Sequence, residues 1–343
     1  MRYPWANVAL LLLILAQLVT GYFGFTNGRQ NQAWLLWLHG MGAYAIAVLL
    51  LWKGSIIWDA LKRGTGWNGR RAAFVGLLFL LLVTLITGLV WTFAGPLYLA
   101  GFSLVTLHIF LAVGLIGLLV WHTWHERFIL RHPQAGGRRL VTGTAAVALV
   151  GLAAWLFFRR AKMAWALPGA TRRFTGSYET GSFSGLFPPT SWIADRPPPV
   201  DPAHWRLVVD GAVERPLNLS YRELEELPAK EVTAVLDCTG GWYSEQLWRG
   251  VPVAQLLALA GVGDEAHSVT FESVSGYQRR FSVSEARTFL LAVEVGGRPL
   301  SHEHGFPARL VAPGRRGFHW VKWLAHIQVN ESGPLWQPPL PLQ

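Results

Sequence analysis

Five apolar runs, each near the ~20 residues that cross a bilayer, constrain this chain more than any other feature: Trp5–Phe25, Trp34–Leu51, Ala72–Phe93, Ser103–Trp121 and Leu140–Phe158. Helices apolar on every side belong in a large core or in lipid. The first run starts at residue 5 with no small-residue cleavage pattern after it, so it reads as a retained span and not as a removable signal peptide. Tryptophans stand near the run ends (Trp5, Trp34, Trp52, Trp91, Trp121, Trp155), as interfacial belts require. Membrane lipid is the partner these runs imply.

Charge separates this part of the chain from the rest. Residues 1–167 carry 14 Lys and Arg against Asp59 and Glu126 alone, whereas 168–343 carry 16 against 18. The formal charge of +10 is thus +12 in the apolar half and −2 in the other. No basic stripe with interleaved aromatic residues occurs in the second half, which excludes a nucleic acid partner. Lys53, Lys62, Arg63, Arg70 and Arg71 lie in one loop, and Arg127, Arg131, Arg138 and Arg139 in another. By the positive-inside rule both loops are cytoplasmic. A multi-pass protein of the cytoplasmic membrane follows, with the second half on the outer, periplasmic or extracellular, side. Arg159, Arg160 and Lys162, just past the fifth run, oppose this orientation. Gly137-Arg138-Arg139-Leu140-Val141-Thr142 resembles an internal twin-arginine export signal, although two topology-setting arginines explain it equally.

The second half holds the only cysteine of the chain, in Val235-Leu236-Asp237-Cys238-Thr239-Gly240-Gly241-Trp242. One thiol cannot close an intrachain disulfide, and a mononuclear zinc or iron–sulfur site normally needs more thiolates. An inert buried thiol, a nucleophile, or a single soft ligand to a cofactor-held metal remain. A β-type run ends at this point in a glycine-containing loop, where backbone can approach a ligand closely. Downstream, His304-Gly305-Phe306-Pro307-Ala308-Arg309 leads to Pro313-Gly314 and then to Gly317-Phe318-His319-Trp320-Val321-Lys322-Trp323.

These two segments, over roughly residues 175–343, resemble the sulfite-oxidase-type molybdopterin oxidoreductases. The resemblance implies that Cys238 is the catalytic residue and the protein's ligand to molybdenum, with molybdopterin as cofactor. It implies further that His304, Arg309 and Lys322 hold the cofactor, its phosphate end above all. Arg and Lys suit a phosphate because one is a bidentate fork and the other a compact charge. Trp320 and Val321 would contribute backbone, Ser273 a hydroxyl, and Thr190 and Ser191 of Phe187-Pro188-Pro189-Thr190-Ser191-Trp192 hydrogen bonds to the pterin. Arg249, Arg279, Arg280, Arg315, Arg316 and His319 could draw an anion to the site mouth, but each alone reads better as a solvated surface group. Thr239-Gly240-Gly241-Trp242 departs from animal and plant sulfite oxidases, which place basic residues there. In length and spacing the chain is more similar to the bacterial catalytic subunit type that reduces methionine sulfoxide. A small oxyanion or a sulfoxide is therefore the expected substrate class.

Two histidines lie inside apolar runs, where polar groups are costly: His39 in the second and His108 in the fourth. Both runs start from the outer face, so the imidazoles reach similar depth, as the two axial ligands of a haem b require. His122 lies 14 residues beyond His108, about 21 Å deeper on nearly the same face. This half resembles the cytochrome b subunits of membrane formate dehydrogenases and hydrogenases, in which a second haem uses a histidine of the first span. Here the first span has none, so one haem is expected. Interfacial histidines bonded to backbone or water are the other reading, and His122, His125 and His132 read as a cytoplasmic rim.

The expected architecture is multi-domain. An all-α transmembrane bundle occupies 1–160, a tether and approach to the cofactor 161–204, and the core of an α+β domain 205–343. Strands are expected at Val232–Leu236, Val269–Ser273 and Arg309–Ala312, and helices at Val253–Ala260 and after a Ser220 cap. The expected function is membrane-anchored, molybdenum-dependent oxygen-atom transfer, with electrons exchanged through the haem with quinone or a soluble carrier. Two alternatives stay open: a haem-only redox relay with a non-catalytic docking domain, and a molybdoenzyme whose helices are only an anchor.

Overall fold

The computed structural model describes residues 4–62, 69–126, 137–191 and 195–335. The readings of Arg63, Arg127, Arg131, His132 and Trp192 lie outside these residues. The chain divides into two compact units, one of residues 1–25 and 30–178 and one of 26–29 and 179–343. Residues 161–178 of the expected tether therefore group with the helices, and 179–204 with the second unit.

In the first unit the helices are α1 (Pro4–Thr26), α2 (Ala33–Trp52), α3 (Gly54–Lys62), α4 (Gly69–Ala94), α5 (Leu104–Glu126) and α6 (Arg138–Ala164). Among the described residues, five of these, all but α3, are long and apolar enough to cross a membrane. Helix α3 is a short amphipathic addition within the basic loop that the apolar runs did not reveal. Helix α2 packs along α6 and α4 along α5. The approach of α2 to α6 is close enough that a Cβ at Gly151 would lie 2.8 Å from the Ala45 backbone nitrogen. Large apolar side chains such as Leu12, Val19, Phe79, Val113, Val120 and Leu149 point outward and are exposed.

The second unit is a mixed α/β structure on two sheets. Its longer strands are β1 (Arg206–Gly211), β2 (Leu217–Ser220), β3 (Lys230–Asp237), β4 (Trp242–Pro252), β5 (Ser268–Ser273), β6 (Gln278–Ser282), β7 (Leu290–Val295), β8 (Arg309–Val311) and β9 (Leu324–Asn330). In the first sheet β4 lies between β3 and β7, and β7 also pairs with β8, all antiparallel. The second runs in the order β2-β1-β9-β5-β6, with β1 and β9 parallel. Along β4, Trp242, Ser244, Gln246 and Trp248 alternate inward, the period of two that makes a strand with one buried face. Strands β4 and β7 come so close at Gly250 that a Cβ there would sit 2.0 Å from the Leu291 carbonyl oxygen. Helix α7 (Tyr221–Glu226) starts in a capping box of Ser220 and Glu223, and α8 (Val253–Ala260) buries Val253, Leu256, Leu257 and Ala260. The expected strands fall within β3, β5 and, but for Ala312, β8. Between them, β3, β8 and the segment before β9 carry the chemical side chains to one place.

Candidate functional site

Strand β3 ends at Asp237, and the chain turns at once. The Cys238 amide donates to the Trp242 carbonyl (2.9 Å) and the Gly241 amide to the Cys238 carbonyl (3.2 Å), which closes a tight loop. Within it the Gly240 amide donates to Cys238 Sγ at 3.3 Å. The loop sits directly on Gly317, where a Cβ would lie 3.2 Å from Cys238 Cα. Cys238 is buried and free. Burial pushes its thiol pKa up, while the Gly240 amide, Arg316 and the Thr190 hydroxyl each favour the thiolate.

Five of the expected binding residues, Thr190, Ser191, His304, Arg309 and Lys322, gather beside it. Thr190 Oγ1, which bonds the thiol, accepts from Trp242 Nε1 at 3.1 Å. Lys322 Nζ donates to the Thr190 carbonyl (3.2 Å), to the Glu303 carbonyl (3.0 Å) and to the Ser191 hydroxyl. His304 is pinned by Ser301 Oγ at Nδ1 (3.0 Å) and the Phe187 carbonyl at Nε2 (2.9 Å), and its ring lies 4.1 Å from that of Phe187. Arg309 donates from Nη1 to the His304 carbonyl at 3.0 Å, with Trp248 and Trp320 flanking its guanidinium. Val321 is fully buried and Trp320 anchors by Nε1 to the Arg315 carbonyl. Ser273 pairs across the sheet with Leu324, two residues past Lys322, and its hydroxyl is bonded to that of Ser275 (3.0 Å).

The electrostatics are those of a site built for an anion. Arg309 is 5% exposed, its Nε has no hydrogen-bond partner, and no acidic side chain pairs with it among the described residues. Burial lowers its pKa to about 9. Burial and the nearby Arg309 together bring Lys322 down to about 7. A buried cation without a counter-ion is costly, so this arrangement is one that a bound polyanion relieves. The residues present thus fit a phosphate-bearing cofactor: a soft thiol ligand at the end of a strand, and unpaired donors beside it.

The Lys322 value carries a pH prediction. Its folded pKa is depressed, so between about 7 and the ordinary lysine value of 10.5 the unfolded chain binds the extra proton. Stability of the cofactor-free protein should therefore rise with pH across that window. Chemical denaturation of the cofactor-free chain from pH 6.5 to 9 is expected to show this rise, and Lys322→Met to flatten it.

Several basic residues sit otherwise than as solvated mouth groups. Arg316 is buried in an ion pair with Asp237 (2.6 Å), and its Nη2 donates to the Cys238 carbonyl (3.1 Å). Arg279 is 1% exposed, with its Nε donating to the Tyr277 hydroxyl (3.0 Å). His319 is buried against Phe318 and Phe281. Arg315 makes two bonds of 2.6 Å to Glu285, and Arg249 one of 2.6 Å to Glu294. Arg249, its side chain 44% exposed, is the surface group expected, and the half-buried Arg280, bonded to Thr270 Oγ1, comes near it. The Asp237–Arg316 pair under the thiol loop is one that sequence reasoning misses, since its partners are 79 residues apart and nothing in spacing joins them. The one signal is an acid directly before the lone cysteine.

In the helical unit His39 and His108 face each other, with ring centroids 6.1 Å apart and planes at 80°. His39 Nδ1 meets the Gln17 carbonyl (3.2 Å) and Thr20 Oγ1 (3.3 Å). His108 Nδ1 meets the Thr84 carbonyl (2.8 Å) and Thr87 Oγ1 (3.4 Å). An Nδ1–H donated to backbone leaves Nε2 as the lone-pair nitrogen on both rings. Gly21 and Gly88 each follow one of these threonines, and a Cβ at either would lie 3.0 or 3.1 Å from a histidine Cε1.

The family model for the oxidoreductase molybdopterin binding domain matches residues 194–334. An uncharacterized oxidoreductase YuiH of Bacillus subtilis is 34% identical over 147 residues, 42% of this chain and 74% of that protein. Mouse (Mus musculus) mitochondrial sulfite oxidase is 35% identical over 175 residues, covering 41% of this chain and 32% of its own length. NADH nitrate reductase 2 of Phaseolus vulgaris is 31% identical over 163 residues, covering 37% and 18%. The chain therefore spans under a third of those two enzymes, and the family-model match falls within its second unit. With a thiol, an arginine and a lysine brought together in the matched segment, this chain is an oxidoreductase that belongs to the molybdopterin-binding oxidoreductase family.

Proposed function

We propose that the chain is a multi-pass protein of the cytoplasmic membrane whose second unit, on the outer side, performs molybdenum-dependent oxygen-atom transfer on a small oxyanion or a sulfoxide. The observation that carries the reading is the acid-free burial of Arg309 beside Cys238 and Lys322. Cys238 would bind the metal, and Arg309, Lys322 and His304 the phosphate end of the pterin. Thr190, Ser191, Ser273 and the backbone of Trp320 and Val321 would line its rim. The molybdenum cofactor, when bound, supplies two-electron oxygen-atom transfer.

The chain's own groups prepare that chemistry. The Gly240 amide, the Thr190 hydroxyl and Arg316 favour the deprotonated thiol, the form that binds metal. Asp237 and Arg316 fix the loop, and Phe187 with Trp242 and Trp248 keeps water from one side of it. The exposed apolar girdle of the helical unit supports membrane insertion, because a soluble surface rarely carries apolar patches of such extent.

His39 and His108 would hold one haem b that exchanges electrons singly with quinone or a soluble carrier. Their spacing and their anchored Nδ1 atoms support this. Reduced-minus-oxidised spectra of the detergent-purified protein test it. The wild type is expected to show a b-type signal, and His39→Ala and His108→Ala each to lose it with molybdenum content unchanged. A spectrum that survives both substitutions would remove the haem from these residues.

A further inference from the structure

The last turn of α6 carries cations that the helical unit does not neutralise. Lys162 is buried, with 9% of its surface exposed. Its ammonium lies 5.7 Å from the Phe93 ring centroid and makes no hydrogen bond or ion pair among the described residues. Arg172, just beyond the helix, donates from Nη1 to the hydroxyl of the adjacent Thr92 at 3.1 Å. The two cations thus flank the end of α4 and repel one another. Arg159 adds a third charge, held only over the rings of Trp37 and Trp155. Up to residue 178 the acids of the sequence are Asp59 and Glu126, on α3 and at the far end of α5.

A helix C-terminus favours a cation, but by about 0.3–1 kcal/mol for an exposed one. That is too little to explain a buried lysine beside an arginine, since burial of an unpaired charge costs several times more. Hydroxyl donors complete the surroundings. Tyr44 stacks on Phe158 (5.3 Å, 10°), and its hydroxyl has no hydrogen-bond partner among the described residues. Tyr178 is held in place by a 2.5 Å bond to the Trp91 carbonyl.

We propose that this end of the helical unit binds an oxyanion presented from within the apolar layer, a carboxylate or a phosphate, held by Lys162 and Arg172 with Tyr44 alongside. The proposal also gives a role to Lys162, one of the three basic residues after the fifth span that oppose the positive-inside orientation. Two sources supply such a group: the propionates of a haem and the phosphate of a membrane lipid. The helix register favours the first. A Cβ at Gly40, next to His39, would sit 2.8 Å from Trp155 Nε1, so residues 40 and 155 are level. Lys162 is seven residues on, about 10 Å further toward the end of α6. That is on the order of the distance from a haem iron to its propionates. The propionate arm rests on the haem reading above, whereas the lipid arm does not.

The test uses the full chain in detergent, with Lys162→Met, Arg172→Gln, the double variant, and Lys162→Arg as the charge-keeping control. Two quantities are read: the haem midpoint potential at unchanged haem content, and phospholipid phosphorus bound per chain. Removing cations near a propionate disfavours the reduced haem. About a tenfold lower ratio of reduced to oxidised haem at fixed potential is expected in the double variant, or about 59 mV for one electron, with Lys162→Arg near wild type. An unchanged potential with loss of bound phosphorus would assign the site to a lipid phosphate. If the double variant changes neither, the oxyanion site is wrong. A wild type without haem would sink the haem reading alone, and the phosphorus measurement would still decide the site.

Discussion

Cys238→Ser is expected to abolish oxygen-atom transfer and to strip the protein of molybdenum while leaving both units folded. Serine is nearly isosteric, and its hydroxyl can take the Gly240 amide bond that the thiol now accepts. What it lacks is the soft, ionisable sulfur that suits molybdenum. Loss of groups that merely support a metal ligand costs about 10–100-fold, so loss of the ligand itself should exceed about 100-fold in turnover. Metal analysis and turnover on one preparation check this. The spectrum of the helical unit, which Cys238 does not touch, should stay as in the wild type. Turnover within a few-fold of wild type would show that the thiol is the inert buried kind.

Arg309→Met separates a binding role from a structural one, because the two predict opposite signs. Arg309 is buried without an acidic partner, and its pKa is already driven down to about 9. Replacing whole buried ion pairs by apolar side chains of similar volume is often neutral or stabilising, by up to about 1–4 kcal/mol, and Arg309 has no acidic partner whose charge the substitution would strand. The flanking Trp248 and Trp320 rings offer methionine a suitable surface. The cofactor-free variant should therefore be more stable than wild type. Cofactor retention should fall by at least about 100-fold, from loss of a charge-assisted, desolvated contact worth about 3 kcal/mol. Denaturation of the cofactor-free forms and cofactor retained after gel filtration measure the two effects. A variant that is destabilised and still loaded would make Arg309 a structural group.

The two signs coexist in Arg309 because sites are where a chain gives up stability for function. The same feature explains how much of the site is legible in the sequence. Cys238 stands out from the residues alone as the lone thiol of a glycine-containing loop, whereas its role and those of His304, Arg309 and Lys322 come from the resemblance of their segments to the sulfite-oxidase type. Helix α8 is legible to the residue, because Gly261 closes an apolar turn pattern that Pro252 opens. Ser220 with Glu223 three residues on likewise announces α7.

What escapes the sequence is partnership across distance. Arg316 reads as a loop cation beside Arg315, yet one turns inward to Asp237 and the other outward to Glu285. Adjacent residues in an irregular segment point apart, and only the fold decides which is buried. Ser273 shows the same limit. It is buried at the end of β5, and its hydroxyl is bonded to that of Ser275, a local turn contact that residue type alone does not reveal. His39 and His108 are legible as a pair by depth alone. The threonines and carbonyls that set their tautomer come from α1 and α4, which no reading of α2 and α5 could supply.

Molybdenum content of the wild-type chain, purified in detergent from a host that makes the cofactor, decides whether Cys238 holds a molybdopterin. Molybdenum is expected in one-to-one proportion with the chain, released together with a pterin on denaturation. A chain that is folded and free of molybdenum under those conditions would contradict this, and would leave Arg309 and Lys322 buried for some other anion.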